Sequence, residues 1–97
     1  MKTNLQTRLI DGEYTIEEAR EILVNLYSNK IKFHDLKIFN SMIRFGKEDT
    51  HSKKRIAELK QNLQEITEYL NSLETNNQTI SIKSNIEIEL KAIETVK

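Results

Sequence analysis

Residues 56 to 73 read IAELKQNLQEITEYLNSL and carry the clearest structural pattern in the chain. Apolar side chains recur there in alternating steps of three and four residues, at Ile56, Leu59, Leu63, Ile66, Leu70 and Leu73. This spacing places them on one face of an α-helix and matches a heptad seam for two and a half repeats. Asp49, Thr50 and Ser52 can each cap its start, so the pattern predicts a helix from about residue 52 to residue 74.

A seam of this length suits packing within one chain or between two chains. A free coiled coil is indicated by about three or four heptads, which is more than this segment offers. We therefore interpret the seam as packing onto two preceding helices, with a dimer seam as the alternative.

The first of those helices is predicted over residues 16 to 28. Thr15 and Glu18 have the spacing of a capping box, in which each side chain accepts a hydrogen bond from the backbone N–H of the other residue. Apolar residues follow at three- and four-residue steps, which indicates one buried stripe. Ser28 and Asn29 are expected to end this helix.

The second helix is predicted over residues 35 to 45, with Gly46 as a left-handed C-terminal cap. Its apolar set is Leu36, Phe39, Met42 and Ile43, widened by Ile38 and Phe45. So broad an apolar surface predicts a helix wedged between two other elements.

The chain ends are predicted to be strands. Leu5 and Leu9 alternate with polar residues over residues 3 to 10, and Asp11-Gly12 is expected to form a turn. Even-numbered positions are mostly apolar over residues 79 to 91, which predicts one long strand or two short ones in a hairpin. The predicted fold is α+β and mostly helical. It is a single domain of residues 1 to 97, with three helices, the longest last, packed on a small antiparallel sheet of the N- and C-terminal strands.

A two-stranded sheet is marginally stable alone, so its edges need cover. We expect a homodimer that joins two sheet edges, with a monomer whose helices cover the sheet as the alternative.

Composition excludes several classes of function. The 97 residues contain no cysteine or proline and only two glycines, so disulfide scaffolds, thiolate metal sites and glycine-rich phosphate loops are absent. The longest apolar run is Ile22, Leu23 and Val24, so neither a membrane span nor a signal peptide is expected and we predict a cytoplasmic protein. We expect no cofactor and no catalytic activity.

Basic residues concentrate in the middle of a chain whose formal net charge is zero. Residues 30 to 60 carry nine bases and four acids. Lys53, Lys54 and Arg55 stand in the first turn of the seam helix, where the helix dipole disfavours cations, so the turn is a candidate anion site. The candidate binding residues are Arg44, Lys47, Lys53, Lys54 and Arg55. The alternative is a solvated surface that Glu48, Asp49 and Glu58 neutralise.

Neither a metal site nor a hydrolytic site is predicted. His34-Asp35 and Glu48-Asp49 with His51 could form a metal site only if two turns converge, and no recognised ligand spacing supports that. Ser41 or Ser52 with His51 and Asp49 lie too close in sequence for a catalytic triad.

These patterns predict a non-catalytic interaction or adaptor module that self-associates. It offers an acidic protein partner the segment from residue 44 to residue 55, here called the basic turn. The alternative is a nucleic-acid-binding accessory protein that uses the same surface, which is less favoured. Aromatic residues such as Phe33 and Phe45 could stack on bases only if exposed, and their spacing predicts burial.

Overall fold

The computed structural model describes residues 3–73 and 77–92, which form two strands and two helices. In chain order these are β1 (Asn4–Tyr14), α1 (Ile16–Phe45), α2 (Thr50–Ser72) and β2 (Ile80–Glu89). The two strands pair in an antiparallel sheet, here called the ribbon, and the two helices form an antiparallel hairpin. The expectation of a mostly helical α+β fold with paired terminal strands is confirmed, but the expectation of three helices with the longest last is wrong.

The helices predicted over residues 16 to 28 and 35 to 45 are one continuous helix, α1, of 30 residues. No glycine or proline lies between Thr15 and Gly46, and serine or asparagine inside a helix costs only about 0.5 kcal/mol relative to alanine. Half-buried residues continue through the expected break at steps of three and four, at Tyr27, Ile31, His34 and Ile38. Packing against α2 therefore outweighs the weak local preference for a break.

The helix that carries the seam begins at Thr50 and ends at Ser72, close to the predicted range. Residue 74, the predicted end, lies outside the described residues. Gly46 adopts φ 65°, and its N–H donates to the Met42 carbonyl oxygen, so the left-handed cap predicted there is confirmed.

The N-terminus of α1 is closed by the predicted capping box. Thr15 Oγ1 accepts from the Glu18 N–H at 3.1 Å, and Glu18 Oε1 accepts from the Thr15 N–H at 3.0 Å. We expect Thr15→Ala to lower the free energy of unfolding by about 1 kcal/mol, because one capping bond is lost. Thr15→Ser retains the hydroxyl and is the matched control. Urea denaturation followed by circular dichroism measures both variants, and equal losses in the two would contradict this role of the hydroxyl.

The ribbon has one polar face and one apolar face. Cross-strand pairs such as Leu5 with Ile88 and Tyr14 with Ile80 lie on the apolar face, and Gln6 with Glu87 lies on the polar face. The register shifts between Arg8 and Ile10, so Leu9 is an extra residue in β1. This bulge moves the apolar positions of β1 from odd to even numbers, which keeps them on one face. The bulge also explains why the alternation of apolar and polar residues seen in the sequence ends at residue 10, although β1 continues to Tyr14.

Asp11-Gly12 lies inside β1, so the turn predicted there is wrong. A methyl group at Gly12 would meet the Tyr14 hydroxyl oxygen at 3.0 Å, which shows that the tyrosine ring covers this glycine. An aromatic ring over a strand glycine shields its backbone and compensates for the missing side chain. The sequence left open whether the C-terminal segment is one strand or a hairpin, and the structure shows one strand, Ile80–Glu89.

The described part of the chain buries few apolar side chains. Those that are buried are Ile10, Ala19, Leu59 and Leu70. The radius of gyration is 17.8 Å and the dimensions are 61 × 38 × 15 Å, whereas a compact domain of this length has a radius of about 12.5 Å. The accessible surface is 8527 Å², against about 5,800 Å² for a compact protein of this mass. The chain is therefore a flat, open structure rather than a closed domain.

Candidate interaction surface

Two polar contacts fix the register of the helical hairpin. Near the start of α1, Arg20 Nη2 donates to Asn71 Oδ1 at 2.7 Å. Farther along, His34 Nδ1 lies 3.1 Å from Ser52 Oγ. His34 lies eleven residues before the end of α1, whereas Ser52 lies two residues after the start of α2. The last part of α1 therefore extends roughly two turns beyond the start of α2.

His34, Asp49 and Ser52 form a hydrogen-bond network that the sequence analysis did not predict. The Ser52 hydroxyl donates to Asp49 Oδ2 at 3.2 Å and is fully buried. Because a hydroxyl has one proton, His34 Nδ1 must be the donor to Ser52 Oγ. Serine lies between the acid and the histidine, whereas a nucleophilic serine needs the histidine between itself and the acid. The network therefore joins α1 to α2 and provides no reactive nucleophile.

The amino end of α2 already contains a negative group. Asp49 is its N-cap, and Asp49 Oδ1 accepts from the Ser52 N–H at 3.0 Å. This backbone hydrogen bond is the largest cause of the lowered pKa of the Asp49 carboxyl. Partial desolvation opposes the shift, and the Ser52 hydroxyl, Lys37 and His51 also favour the ionised form. The protein's own carboxylate thus occupies the position at which the sequence suggested an external anion.

The lowered pKa of Asp49 predicts a dependence of stability on pH. A carboxyl whose pKa is lower in the folded than in the unfolded chain stabilises fully above its unfolded value, about 3.9, and this contribution is lost as the pH falls through the folded value. Asp49→Asn retains an amide oxygen for capping but no charge. We expect wild type to exceed this variant in Tm at pH 7 and the difference to shrink toward pH 2. A difference independent of pH would contradict this role.

Two of the five candidate basic residues form ion pairs with nearby acids. Lys53 Nζ lies 2.7 Å from Glu48 Oε2, and Arg55 Nη1 lies 2.9 Å from Glu58 Oε2. Within the described ranges, the other three make no ion pair and are exposed; they are Arg44, Lys47 and Lys54. The basic turn therefore retains three exposed basic side chains that are not neutralised by an ion pair within the described residues.

The second half of α1 exposes a large apolar surface, here called the α1 arm. Its side chains are between 45% and 72% exposed and comprise Phe33, Leu36, Phe39, Met42, Ile43 and Phe45. At 100° per residue, Leu36, Phe39 and Ile43 lie on the opposite side of α1 from His34, which contacts α2. Phe45 lies on the same side as His34 and is exposed because α1 extends beyond the start of α2. The predictions that this segment is wedged between two elements and that Phe33 and Phe45 are buried are therefore wrong.

A second apolar surface, here called the ribbon arm, lies at the open end of the ribbon. Its exposed side chains are Leu5, Ile88 and Leu90. They line a shallow cavity together with Thr3, Asn4 and Glu89, so all of its lining residues belong to the ribbon. The Leu90 N–H donates to the Thr3 carbonyl oxygen at 2.7 Å, which extends the pairing beyond β2.

The six residues of the heptad seam lie on the side of α2 that packs against α1. Leu59 and Leu70 are buried, and the others are half-buried, namely Ile56, Leu63, Ile66 and Leu73. In this structure the seam serves the hairpin within one chain.

Of the possible metal ligands, the structure brings His34 and Asp49 together, through Ser52. Among the described residues no group of three or more histidine, cysteine, aspartate or glutamate side chains is placed to hold a metal ion. Ser41 donates to the Lys47 carbonyl oxygen at 2.7 Å and thereby ties the inter-helix loop to α1.

Neither of the described helices is long and apolar enough to cross a lipid bilayer.

Comparison with protein-family models, with curated proteins and with solved structures finds no match.

Proposed function

We propose that this chain is a non-catalytic, cytoplasmic protein-interaction module that self-associates. The observation that carries the proposal is the α1 arm, where six large apolar side chains lie exposed along one segment. Phe33, Leu36, Phe39 and Ile43 share the face of α1 that is turned away from α2, and large exposed apolar patches on soluble proteins mark interaction sites. The α1 arm is also rich in aromatic residues and methionine, which are enriched in protein interfaces.

The basic turn gives this module a second surface, for an acidic partner. Arg44, Lys47 and Lys54 are exposed there without an ion pair among the described residues. Charges at the rim of an interface mainly accelerate association and select the partner, whereas the apolar centre supplies affinity. The turn adjoins the α1 arm in sequence, so one partner could contact both.

Sedimentation equilibrium of the full chain over a range of concentrations tests self-association. The proposal predicts a mass above 11.4 kDa that rises with concentration. A mass of one chain throughout, together with cooperative unfolding, would refute it.

Single-stranded nucleic acid is a second candidate partner, because aromatic rings are exposed beside basic side chains. Phe33, Phe39 and Phe45 are each more than half exposed. Lys37 Nζ lies 5.8 Å from the centre of the Phe33 ring. Proteins that bind single strands stack bases on such rings and track the backbone with cations.

Changing the free charges of the basic turn tests this candidate. If nucleic acid binds there, the triple variant Arg44→Glu, Lys47→Glu and Lys54→Glu is expected to weaken binding of a fluorescent oligothymidine at least tenfold, because phosphate contacts dominate the affinity. Lys83→Glu, on the polar face of the ribbon, is the matched control. Fluorescence anisotropy at low and moderate salt measures both. Absence of binding by wild type at low salt would eliminate nucleic acid as the partner.

A further inference from the structure

We infer that a second copy of this chain covers both apolar arms, with the α1 arm of each copy lying on the ribbon arm of the other. This inference rests on the self-association proposed above and specifies which surfaces meet.

The open shape leaves more surface exposed than the smallest interface of a stable dimer buries. The chain exposes 8527 Å², which exceeds the compact value by roughly 2,700 Å². Obligate homodimers bury about 2,000 to 5,000 Å² in total, or at least about 1,000 Å² per chain. The excess is large enough to contain an interface of that size, and a second copy seated on the two arms would bury part of it.

The two arms diverge from a common point and have similar lengths. Leu9 and Phe33 line one cavity, where the ribbon and α1 are still close. Beyond it, the cavity at Leu5 and Ile88 is lined by ribbon residues alone. Phe33 to Phe45 spans about 18 Å of helix, and Thr3 to Leu9 spans about 20 Å of strand. An arm of either kind can therefore lie along the full length of the other.

Within one chain, the apolar face of the ribbon is already turned toward the helices. Ile10 and Ile82, on the apolar face of the ribbon, line a cavity together with Leu23, Leu26 and Leu59 of the two helices. The same face carries Leu5 and Ile88 at its open end. In the proposed dimer these two side chains continue the same type of contact on the α1 arm of the second copy.

Twofold symmetry favours this exchange of arms over the simpler alternatives. If two α1 arms met each other, Leu5, Ile88 and Leu90 would remain exposed; if two ribbon arms met, the phenylalanines would remain exposed. A twofold axis repeats every contact, so one pairing of α1 arm with ribbon arm covers both surfaces on both chains and closes the assembly.

Site-directed cross-linking tests the pairing, since the chain contains no cysteine of its own. Chains carrying Ile43→Cys and chains carrying Leu5→Cys are unfolded together, refolded as a mixture and treated with a short flexible bismaleimide. Leu36→Cys mixed with Ile88→Cys provides an independent second pair. The control replaces the ribbon cysteine with Lys83→Cys, which lies on the polar face. Sedimentation of each variant before cross-linking shows whether it still associates.

We expect a covalent dimer in both mixtures. We expect no covalent dimer in the control mixture or in any single variant treated alone. Cross-linking of Ile43→Cys alone that equals the mixture would overturn the inference in favour of contact between α1 arms. Associated chains that cross-link in neither mixture would also overturn it. Chains that sediment as monomers would instead refute the proposed self-association itself.

Discussion

Replacing Leu59 with alanine is expected to lower the free energy of unfolding by about 3 kcal/mol, because a buried leucine leaves a cavity when it is truncated. Leu59 is only 4% exposed, and it lines a cavity with Ile10 of the ribbon and Leu23 of α1. One side chain thus contributes to the junction of both helices and the ribbon. Because few apolar side chains are buried in the described chain, this loss is a large fraction of a typical stability of about 5 to 15 kcal/mol.

Leu63→Ala is the matched control for this prediction. Leu63 lies on the same seam one turn later but is only half-buried, so its truncation removes less buried surface. We expect a loss of about 1 kcal/mol for Leu63→Ala in urea denaturation at the same protein concentration. Equal losses for the two variants would show that the junction at Leu59 is not the centre of the core.

The double variant Phe39→Lys and Ile43→Lys is expected to weaken self-association about 100-fold or more. Buried aromatic and aliphatic anchors each contribute about 2 kcal/mol or more at the centre of an interface, and a lysine there adds an unpaired buried charge. Neither side chain is buried within one chain, so the loss falls on association rather than on the hairpin. Sedimentation equilibrium measures the dissociation constant.

Gln64→Lys controls for the added charge on a helix. Gln64 is exposed on α2 and donates to Glu68 at 3.1 Å, so a lysine there faces the same carboxylate. We expect its dissociation constant to match that of wild type. Far-UV circular dichroism at the same concentrations distinguishes dissociation from unfolding. An unchanged dissociation constant in the double variant would exclude the α1 arm from the interface.

The parts of the fold that depend on local sequence could be predicted. The capping box at Thr15, the left-handed Gly46 and the seam of α2 each follow from a few neighbouring residues. The pairing of the terminal strands could also be predicted, because each strand has one mainly apolar face. These features depend on short-range hydrogen bonds and on the periodicity of apolar residues, both of which are visible in the sequence.

The errors arose where long-range packing outweighs a local preference. Ser28 and Asn29 favour a break weakly, but packing against α2 continues α1 through them. The bulge at Leu9 changes the parity of β1, so alternation alone ends the strand too early. Apolar spacing predicted a helix wedged between two other elements over the second half of α1, but it could not show whether its apolar side chains are covered within the same chain.

Binding at the basic turn stays a prediction from the charge pattern. The acids Glu48 and Glu58 pair with Lys53 and Arg55, as expected for the alternative of a solvated surface. The network of His34, Asp49 and Ser52 was missed because it joins residues eighteen positions apart on two helices. Its sequence signals were Asp49 and Ser52 as candidate caps of α2, and His34 and Asp49 as candidate ligands on two turns that would have to converge.

The most direct test of the account is the mass of the full chain measured by light scattering after size-exclusion chromatography, at several loading concentrations. We expect twice the 11.4 kDa of one chain at high concentration, and a mass that returns toward that of one chain in the double variant Phe39→Lys and Ile43→Lys. A folded wild-type chain that elutes with the mass of one copy at every concentration would contradict it.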